Sequence, residues 1–126
     1  MFSVIKVLLV DCPQKLRDSV RNLLESQVDL EIVEGILDPV EILLKVRAVN
    51  ADVVIVTLPD KTEEPGVISH LLSEYPKLLI IAISCTSDVA YVYRQRTYKE
   101  AIFNISSDEI LRIIRTAREE EKGRAY

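Results

Sequence analysis

The chain has 126 residues, of which 48% are apolar and 29% charged, with a formal net charge of -4. This length fits one domain with one core, and three glycines and five prolines argue against a linker-rich chain. The acidic balance argues against nucleic-acid binding, and no apolar run approaches the roughly 18 residues of a membrane span. Cys12 and Cys85 match neither a zinc-ligand spacing nor a disulfide framework. We therefore expect a cytoplasmic protein that binds no metal or cofactor and is not inserted in a membrane.

The first third of the chain predicts two strand-helix units. An apolar run predicts a strand at residues 5–10, and apolar residues at helical spacing predict a helix at 13–26. A second strand is predicted at 30–33. Asp38, Pro39 and Glu41 form a helix start, so the second helix is predicted from there to about residue 49.

The second predicted helix carries two apolar stripes. One stripe is expected to face the sheet, and the other lies beside it on the helix flank. The stripe expected to face the sheet consists of Val40, Leu43 and Leu44. The stripe beside it consists of Ile42, Val46 and Val49. An ordinary helix flank can bury both stripes, and the second stripe would be a candidate interface if it were left exposed.

The remaining elements follow the same alternation of strands and helices. They are a strand at 51–58, a helix from about 66, a strand at 77–84, a helix at 88–96, a strand at 101–105 and a last helix from about 106. Asp88 is the expected cap of the fourth helix, and Ser106 with Glu109 forms a capping box for the last one.

Five short apolar strands alternating with helices predict an α/β fold with a parallel sheet covered on both faces. Short right-handed connections favour a flavodoxin-like doubly wound (βα)5 three-layer sandwich with strand order 2-1-3-4-5. The predicted domain spans residues 1–118, and 119–126 are expected to form a charged tail, interpreted as the remnant of a linker in a longer protein. In this order the ends of strands one, three and four are neighbours, so Asp11, Thr57 and Ser84 are expected to share a pocket.

Four segments, in this order and spacing, resemble the receiver domain of two-component response regulators over nearly the whole chain. The segments are KVLLVDCPQKLRDSVRNLLE, ADVVIVTLP, KLLIIAIS and SSDEILRIIR. The resemblance implies an acidic pair after strand one and an Asp at the end of strand three, which together hold Mg²⁺. It also implies that this Asp accepts a phosphoryl group from a histidine kinase, with a hydroxyl after strand four and a Lys after strand five.

Three of those five positions are changed in this chain. Asp11 matches the first acidic position, but Cys12 occupies the second, and Thr57 occupies the phosphoacceptor position. Ser84 matches the hydroxyl position, whereas the Lys position falls on Asn104. These five residues are interpreted as a vestigial phosphorylation pocket with no catalytic residue. Asp11 also fits a purely structural role as a helix cap.

A threonine hydroxyl needs a general base before it can attack phosphorus, and the only histidine, His70, is predicted on the third helix. Without a cation or a lysine, nothing stabilises the charge that develops on the phosphoryl oxygens. We therefore expect a module that is not an enzyme, is not phosphorylated, and acts in two-component-type signalling through protein-protein interaction. The alternative is a small-ligand-binding protein or minor enzyme that uses the pocket at the ends of strands one, three and four.

Aromatic and basic side chains alternate within nine residues near the predicted fourth helix. They are Tyr91, Tyr93, Arg94, Arg96, Tyr98 and Lys99. Tyrosine and arginine are favoured at protein interfaces, so this segment is interpreted as a partner-binding surface for a protein partner or an output domain. By resemblance to receivers, a homodimer through helix 4, strand 5 and helix 5 is a further expectation. A solvated helix face is the structural alternative.

Overall fold

The computed structural model describes residues 4–10, 14–35, 39–58, 66–84, 89–94 and 98–123 of the chain. Within them lie six strands and four helices. The strands are β1 (Ile5–Val10), β2 (Leu30–Gly35), β3 (Val53–Leu58), β4 (Leu79–Ser84), β5 (Ala90–Arg94) and β6 (Tyr98–Ile102). The helices are α1 (Gln14–Glu25), α2 (Pro39–Val49), α3 (Gly66–Glu74) and α4 (Ser107–Gly123).

The described strands form one mixed sheet of order β2-β1-β3-β4-β5-β6. The first four strands of this order are mutually parallel and stand as the sequence predicts. β5 runs antiparallel to β4, and β6 runs antiparallel to β5. β6 is therefore parallel to β4, and β5 lies between them.

The prediction of five strands in the order 2-1-3-4-5, with a helix at 88–96, is wrong. Residues 90–94 form a strand instead, and Asp88, the expected cap, lies outside the described residues. The physical reason is the period of the segment AYVYR: Ala90 and Val92 lie on one face of the sheet, and Tyr91 and Tyr93 lie on the other. β-branched and aromatic side chains at this alternation fit a pleated strand better than a helix.

Helices cover both faces of the sheet. On one face, α1 and α4 contribute buried residues such as Val20, Leu24 and Ile110 to a core that includes Ile55 of β3. On the other face, residues of α2 and α3 pack against Val54 of the same strand. Full burial of one such side chain stabilises the fold by about 1.5–3 kcal/mol. The continuous apolar runs of β1, β3 and β4 are therefore explained by burial on both sides, as the sequence predicts.

Asp52 connects three strands at the amino-terminal end of the sheet. Its Oδ2 accepts a hydrogen bond from the Lys6 N–H at 2.9 Å. Its own N–H donates to the Lys6 carbonyl at 2.8 Å, and its carbonyl accepts from the Leu79 N–H at 3.2 Å. These bonds fix the registers of β1, β3 and β4, and so determine which residues meet at the opposite, carboxyl end of these strands.

A second polar contact joins the last helix to the turn before β2. Arg115 donates from both terminal nitrogens to the Asp29 carboxylate, and the Nη2 bonds measure 2.8 Å to Asp29 Oδ1 and 3.0 Å to Gln27 Oε1. The hydrogen bond to Asp29 raises the pKa of the Arg115 guanidinium above its ordinary value. These hydrogen bonds hold α4 against the first third of the chain.

The predicted start of the last helix is confirmed. The Ser106 Oγ accepts a hydrogen bond from the Glu109 N–H at 3.2 Å, and the Ser106 carbonyl accepts from the Ile110 N–H at 3.0 Å. The Glu109 carboxylate pairs with Arg112 one turn later, and this hydrogen bond lowers the pKa of Glu109. α4 continues to Gly123, so part of the segment expected to be a tail is helical.

Candidate functional site

The carboxyl ends of β1, β3 and β4 are neighbours in the sheet, and this is where the sequence places a vestigial phosphorylation pocket. Thr57 and Ser84 are both half-buried at this edge. Asp11 and Cys12, which follow β1, lie outside the described residues, as does Cys85. The described part of the site is therefore a pair of hydroxyl side chains on adjacent strands.

The strand register places these two hydroxyls on opposite faces of the sheet. Thr57 is paired with Ile83, and Ser84 is paired with the next residue of β3, Leu58. Ile83 belongs to the core beneath α1 and α4, whereas Ile80, which shares its face with Ser84 by alternation, belongs to the core beneath α2 and α3. The structure brings Thr57 and Ser84 onto adjacent strands but not onto one face.

Ser84 also takes part in the turn that leads to β5. Its backbone N–H donates to the Val89 carbonyl at 2.9 Å, which closes the connection between the two antiparallel strands. The end of β4 is thus built into a hairpin, whereas the predicted fold continues β4 into a helix. As a result, the last parallel strand, β6, is separated from β4 by β5, whereas the predicted fold places the last strand directly beside β4.

Asn104, the residue at the expected lysine position, is exposed in the turn between β6 and α4, with a φ of 56°. A positive φ is tolerated by asparagine better than by most residues, which suits this residue to the turn. Because β5 separates β6 from β4, the strand that precedes Asn104 is three strand spacings, or about 14 Å, from β3. In the predicted five-stranded order the distance is two spacings. The structure does not bring Asn104 beside Thr57.

The aromatic and basic segment is divided between the two faces of β5. Tyr93 is only 4% exposed and is part of the core on the α2 and α3 side, with Tyr91 half-buried beside it. Arg94 lies on the other face and pairs with Glu100 of β6 at 3.5 Å. Of the remaining members, Arg96 lies outside the described residues, and Tyr98 and Lys99 are described only by their positions in β6.

The outer end of the sheet exposes apolar residues that the sequence interpretation missed. Phe103, directly after β6, is 69% exposed, and Ala101 of β6 is also exposed. Ala101 is paired with Tyr91 across β5 and β6. We refer to Tyr91, Ala101 and Phe103 as the β5–β6 patch. The sequence signal for this patch is the aromatic Phe103 directly before Asn104, a residue type that is common in turns.

The two apolar stripes of α2 do not face as the sequence predicts, although Leu43 of the first stripe is half-buried and packs against the core. Ile42 and Val46 are buried against the sheet, whereas Val40 and Leu44 are 63% and 64% exposed. Because both stripes are apolar, no difference in polarity between them indicates which one faces the sheet.

Among the described residues, no three His, Cys, Asp or Glu side chains lie close enough together to hold a metal ion. His70 is exposed on α3, where its Nε2 lies 3.2 Å from Glu74 Oε1. In the same part of the chain, no helix is both long and apolar enough to cross a membrane.

Comparison of the chain with protein-family models, with curated proteins and with solved structures returned no match. The resemblance to receiver domains therefore stays a prediction.

Proposed function

We propose that this chain is a receiver-like signalling module that binds a protein partner in two-component-type signal transduction and is not phosphorylated. In this proposal it is cytoplasmic, is not an enzyme and acts by binding. Its sheet derives from the flavodoxin-like order 2-1-3-4-5, with β5 inserted before the last parallel strand. This interpretation is supported by the parallel order β2-β1-β3-β4 and by β6, which runs parallel to β4.

The observation that carries the proposal is Thr57 near the end of the central strand β3, where a receiver would carry its phosphoacceptor Asp. A carboxylate is anionic at neutral pH, but a threonine hydroxyl attacks phosphorus only when a base removes its proton. The neighbouring Ser84 is a neutral hydroxyl whose register position lies on the opposite face of the sheet, and a hydroxyl is not a general base at neutral pH. Of the three acidic positions that hold Mg²⁺ in receivers, this sequence keeps a carboxylate at Asp11 alone, which makes a poor ligand set for that ion.

The position of Asn104 supports the same conclusion. In the family that this chain resembles, a lysine after the last strand contacts the phosphoryl group, and its charge stabilises the transferred oxygens. Here that position holds a neutral amide in a turn separated from β4 by β5. Restoring a carboxylate at residue 57 alone would therefore leave the site without a cation beside it.

The partner surface in this proposal is the β5–β6 patch. Large exposed aromatic residues are enriched at protein interfaces, and Phe103 is 69% exposed. By resemblance, receivers use their fourth helix, fifth strand and fifth helix for dimerisation or for an output domain, and the patch lies in the corresponding stretch of this sequence. We propose a sensor kinase or an output domain of the same signalling class as the partner.

A phosphorylation assay tests the first half of the proposal. The chain is incubated with acetyl phosphate and Mg²⁺, and in parallel with a phosphorylated sensor kinase, while a phosphorylation-competent receiver serves as positive control. We expect no phosphoryl mass increase on the wild type or on Thr57→Asp. Phosphorylation of the wild type would overturn the proposal. Phosphorylation of Thr57→Asp alone would show that the surrounding site is intact and that only the acceptor had been lost.

A binding assay tests the partner surface. Phe103→Glu places a charge on the β5–β6 patch, and Val28→Glu places the same charge at an 85% exposed apolar site in the turn before β2. Candidate kinases and output-domain proteins are titrated against each variant by isothermal calorimetry. We expect Phe103→Glu to weaken binding about tenfold or more and Val28→Glu to leave it unchanged. Equal affinities would move the partner surface to another face.

A further inference from the structure

The outer face of α2 carries an apolar stripe that the proposed function does not use. Val40 and Leu44 are one turn apart and both are more than 60% exposed, and Ala48, one turn further, is also exposed. The other strongly exposed large apolar residues in the described part of the chain are Val4, Val28 and Phe103. Each of these stands on a separate segment, so Val40 and Leu44 form the one pair that shares a helix face.

Charged residues border the stripe in an asymmetric way. At 100° per residue, Glu41 and Lys45 lie on one side of Leu44, at about 60° and 100° around the helix axis, and Arg47 lies about 60° away on the other side. Glu41 and Arg47 are exposed, and Lys45 is half-buried. One border of the stripe therefore carries both signs of charge, and the other carries a positive charge.

This arrangement is complementary to itself about a two-fold axis that passes through Leu44 and sets two α2 helices antiparallel. The axis places Leu44 against Leu44, and Val40 against Ala48 of the second copy. It also places Glu41 on the same border as Lys45 of the second copy, about 3 Å apart along the helix axis. A parallel two-fold pairing would instead place Glu41 of one copy and Lys45 of the other on opposite borders of the stripe, so it would form no such pair between copies.

We propose that two copies of this chain associate through the outer face of α2, as an antiparallel helix pair centred on Leu44. Isologous contacts of this kind are the commonest in homo-oligomers, because one surface supplies both sides. Two Glu41–Lys45 pairs at the rim favour the antiparallel orientation of the helices, and the apolar stripe is the surface that becomes buried. This surface is separate from the β5–β6 patch, and the dimer does not depend on the signalling role proposed above.

The size of the stripe sets the strength of the contact. The 11 residues of α2 extend about 16 Å, and a pair of such helices falls below the roughly 1,200 Å² that separates stable from transient interfaces. We therefore expect a reversible dimer that forms between about 10 μM and 1 mM protein.

Sedimentation velocity across this concentration range tests the proposal on the whole chain. We expect the wild type to pass from monomer to dimer. Leu44→Glu should raise the dimer dissociation constant about tenfold or more, because it places two carboxylates against each other at the two-fold axis. Val28→Glu should dimerise as the wild type does. A wild type that stays monomeric to 1 mM overturns the proposal, as does equal loss of association in both variants.

Charge reversal supplies a test that does not depend on the Leu44 substitution being tolerated. Glu41→Lys and Lys45→Glu should each weaken the dimer, since each creates a like-charge contact across the axis. The double variant Glu41→Lys with Lys45→Glu should recover association to within about threefold of wild type. Circular dichroism spectra confirm that each variant is folded. Failure of the double variant to recover association, with a native spectrum, contradicts the antiparallel pairing.

Discussion

The stability of the Tyr93→Ala variant shows whether Tyr93 lies in a buried strand or on a solvent-exposed helix. Tyr93 is 4% exposed on the α2 and α3 side of β5, level with Ile80 of β4. Truncation of a core aromatic residue to alanine costs about 3–5 kcal/mol. We expect a value near 3 kcal/mol, because β5 is one strand from the edge of the sheet and its neighbours can relax into part of the space.

This loss is a large fraction of the roughly 5–15 kcal/mol that stabilises an ordinary domain. Urea unfolding followed by far-UV circular dichroism measures it as a fall in the midpoint at constant slope. In thermal unfolding, with about 3–6 °C for each kcal/mol in a domain of this size, the melting temperature should fall by about 9–18 °C.

Two companion variants show whether the loss comes from burial of the ring. Tyr93→Phe keeps the ring and should cost about 1 kcal/mol or less. Tyr91→Ala removes a half-buried ring from the same strand and should cost less than Tyr93→Ala. If the free energy of unfolding of Tyr93→Ala were within about 0.5 kcal/mol of wild type, Tyr93 would behave as a residue on a solvated helix face. That result would refute the placement of β5 as a buried strand.

Three further substitutions test the polar contacts of the fold. Asp52→Ala removes the charged acceptor of the Lys6 N–H and should lower the free energy of unfolding by about 1–2 kcal/mol; Asp52→Asn, which keeps an oxygen, should cost about half as much in the same urea titration. Arg115→Ala should cost about 1 kcal/mol, because its pair with Asp29 is partly open to solvent, and Arg115→Lys should recover only part of it, which differential scanning calorimetry can resolve. For Glu109, whose pKa is lowered in the folded state, the stabilisation is complete above the unfolded pKa and is lost as pH falls through the folded pKa. Glu109→Gln should therefore be less stable than wild type at pH 7, and the difference should shrink as the pH falls through the folded pKa.

The strands in the middle of the sheet could be predicted because burial on both faces leaves a direct mark on the sequence. β1, β3 and β4 consist almost entirely of apolar residues, a composition typical of strands that are covered on both sides. The start of α4 was equally open to prediction, since Ser106 is a cap whose effect is local.

β5 could not be predicted because two signals of similar strength conflict in its segment. Asp88 is an acceptable helix cap, and the alternation of Ala90, Tyr91, Val92 and Tyr93 covers only four residues, too few to establish a period. The pairing with β4 decides the outcome, and that pairing is a tertiary contact. The same limit applies to Thr57 and Ser84, since their placement on opposite faces follows from the register between β3 and β4, which no local pattern encodes.

The β4–β5–β6 meander also has a consequence for how the chain folds. Its pairs are local, with five residues between the end of β4 and the start of β5 and three between β5 and β6, whereas the pairing of β1 with β3 requires closure of a segment of more than 40 residues. Short loops close at lower entropic cost, and hairpins form within about 1–10 μs. We expect the folding nucleus to form in this carboxyl-terminal hairpin pair, with a lower contact order than a sheet built only from crossover connections.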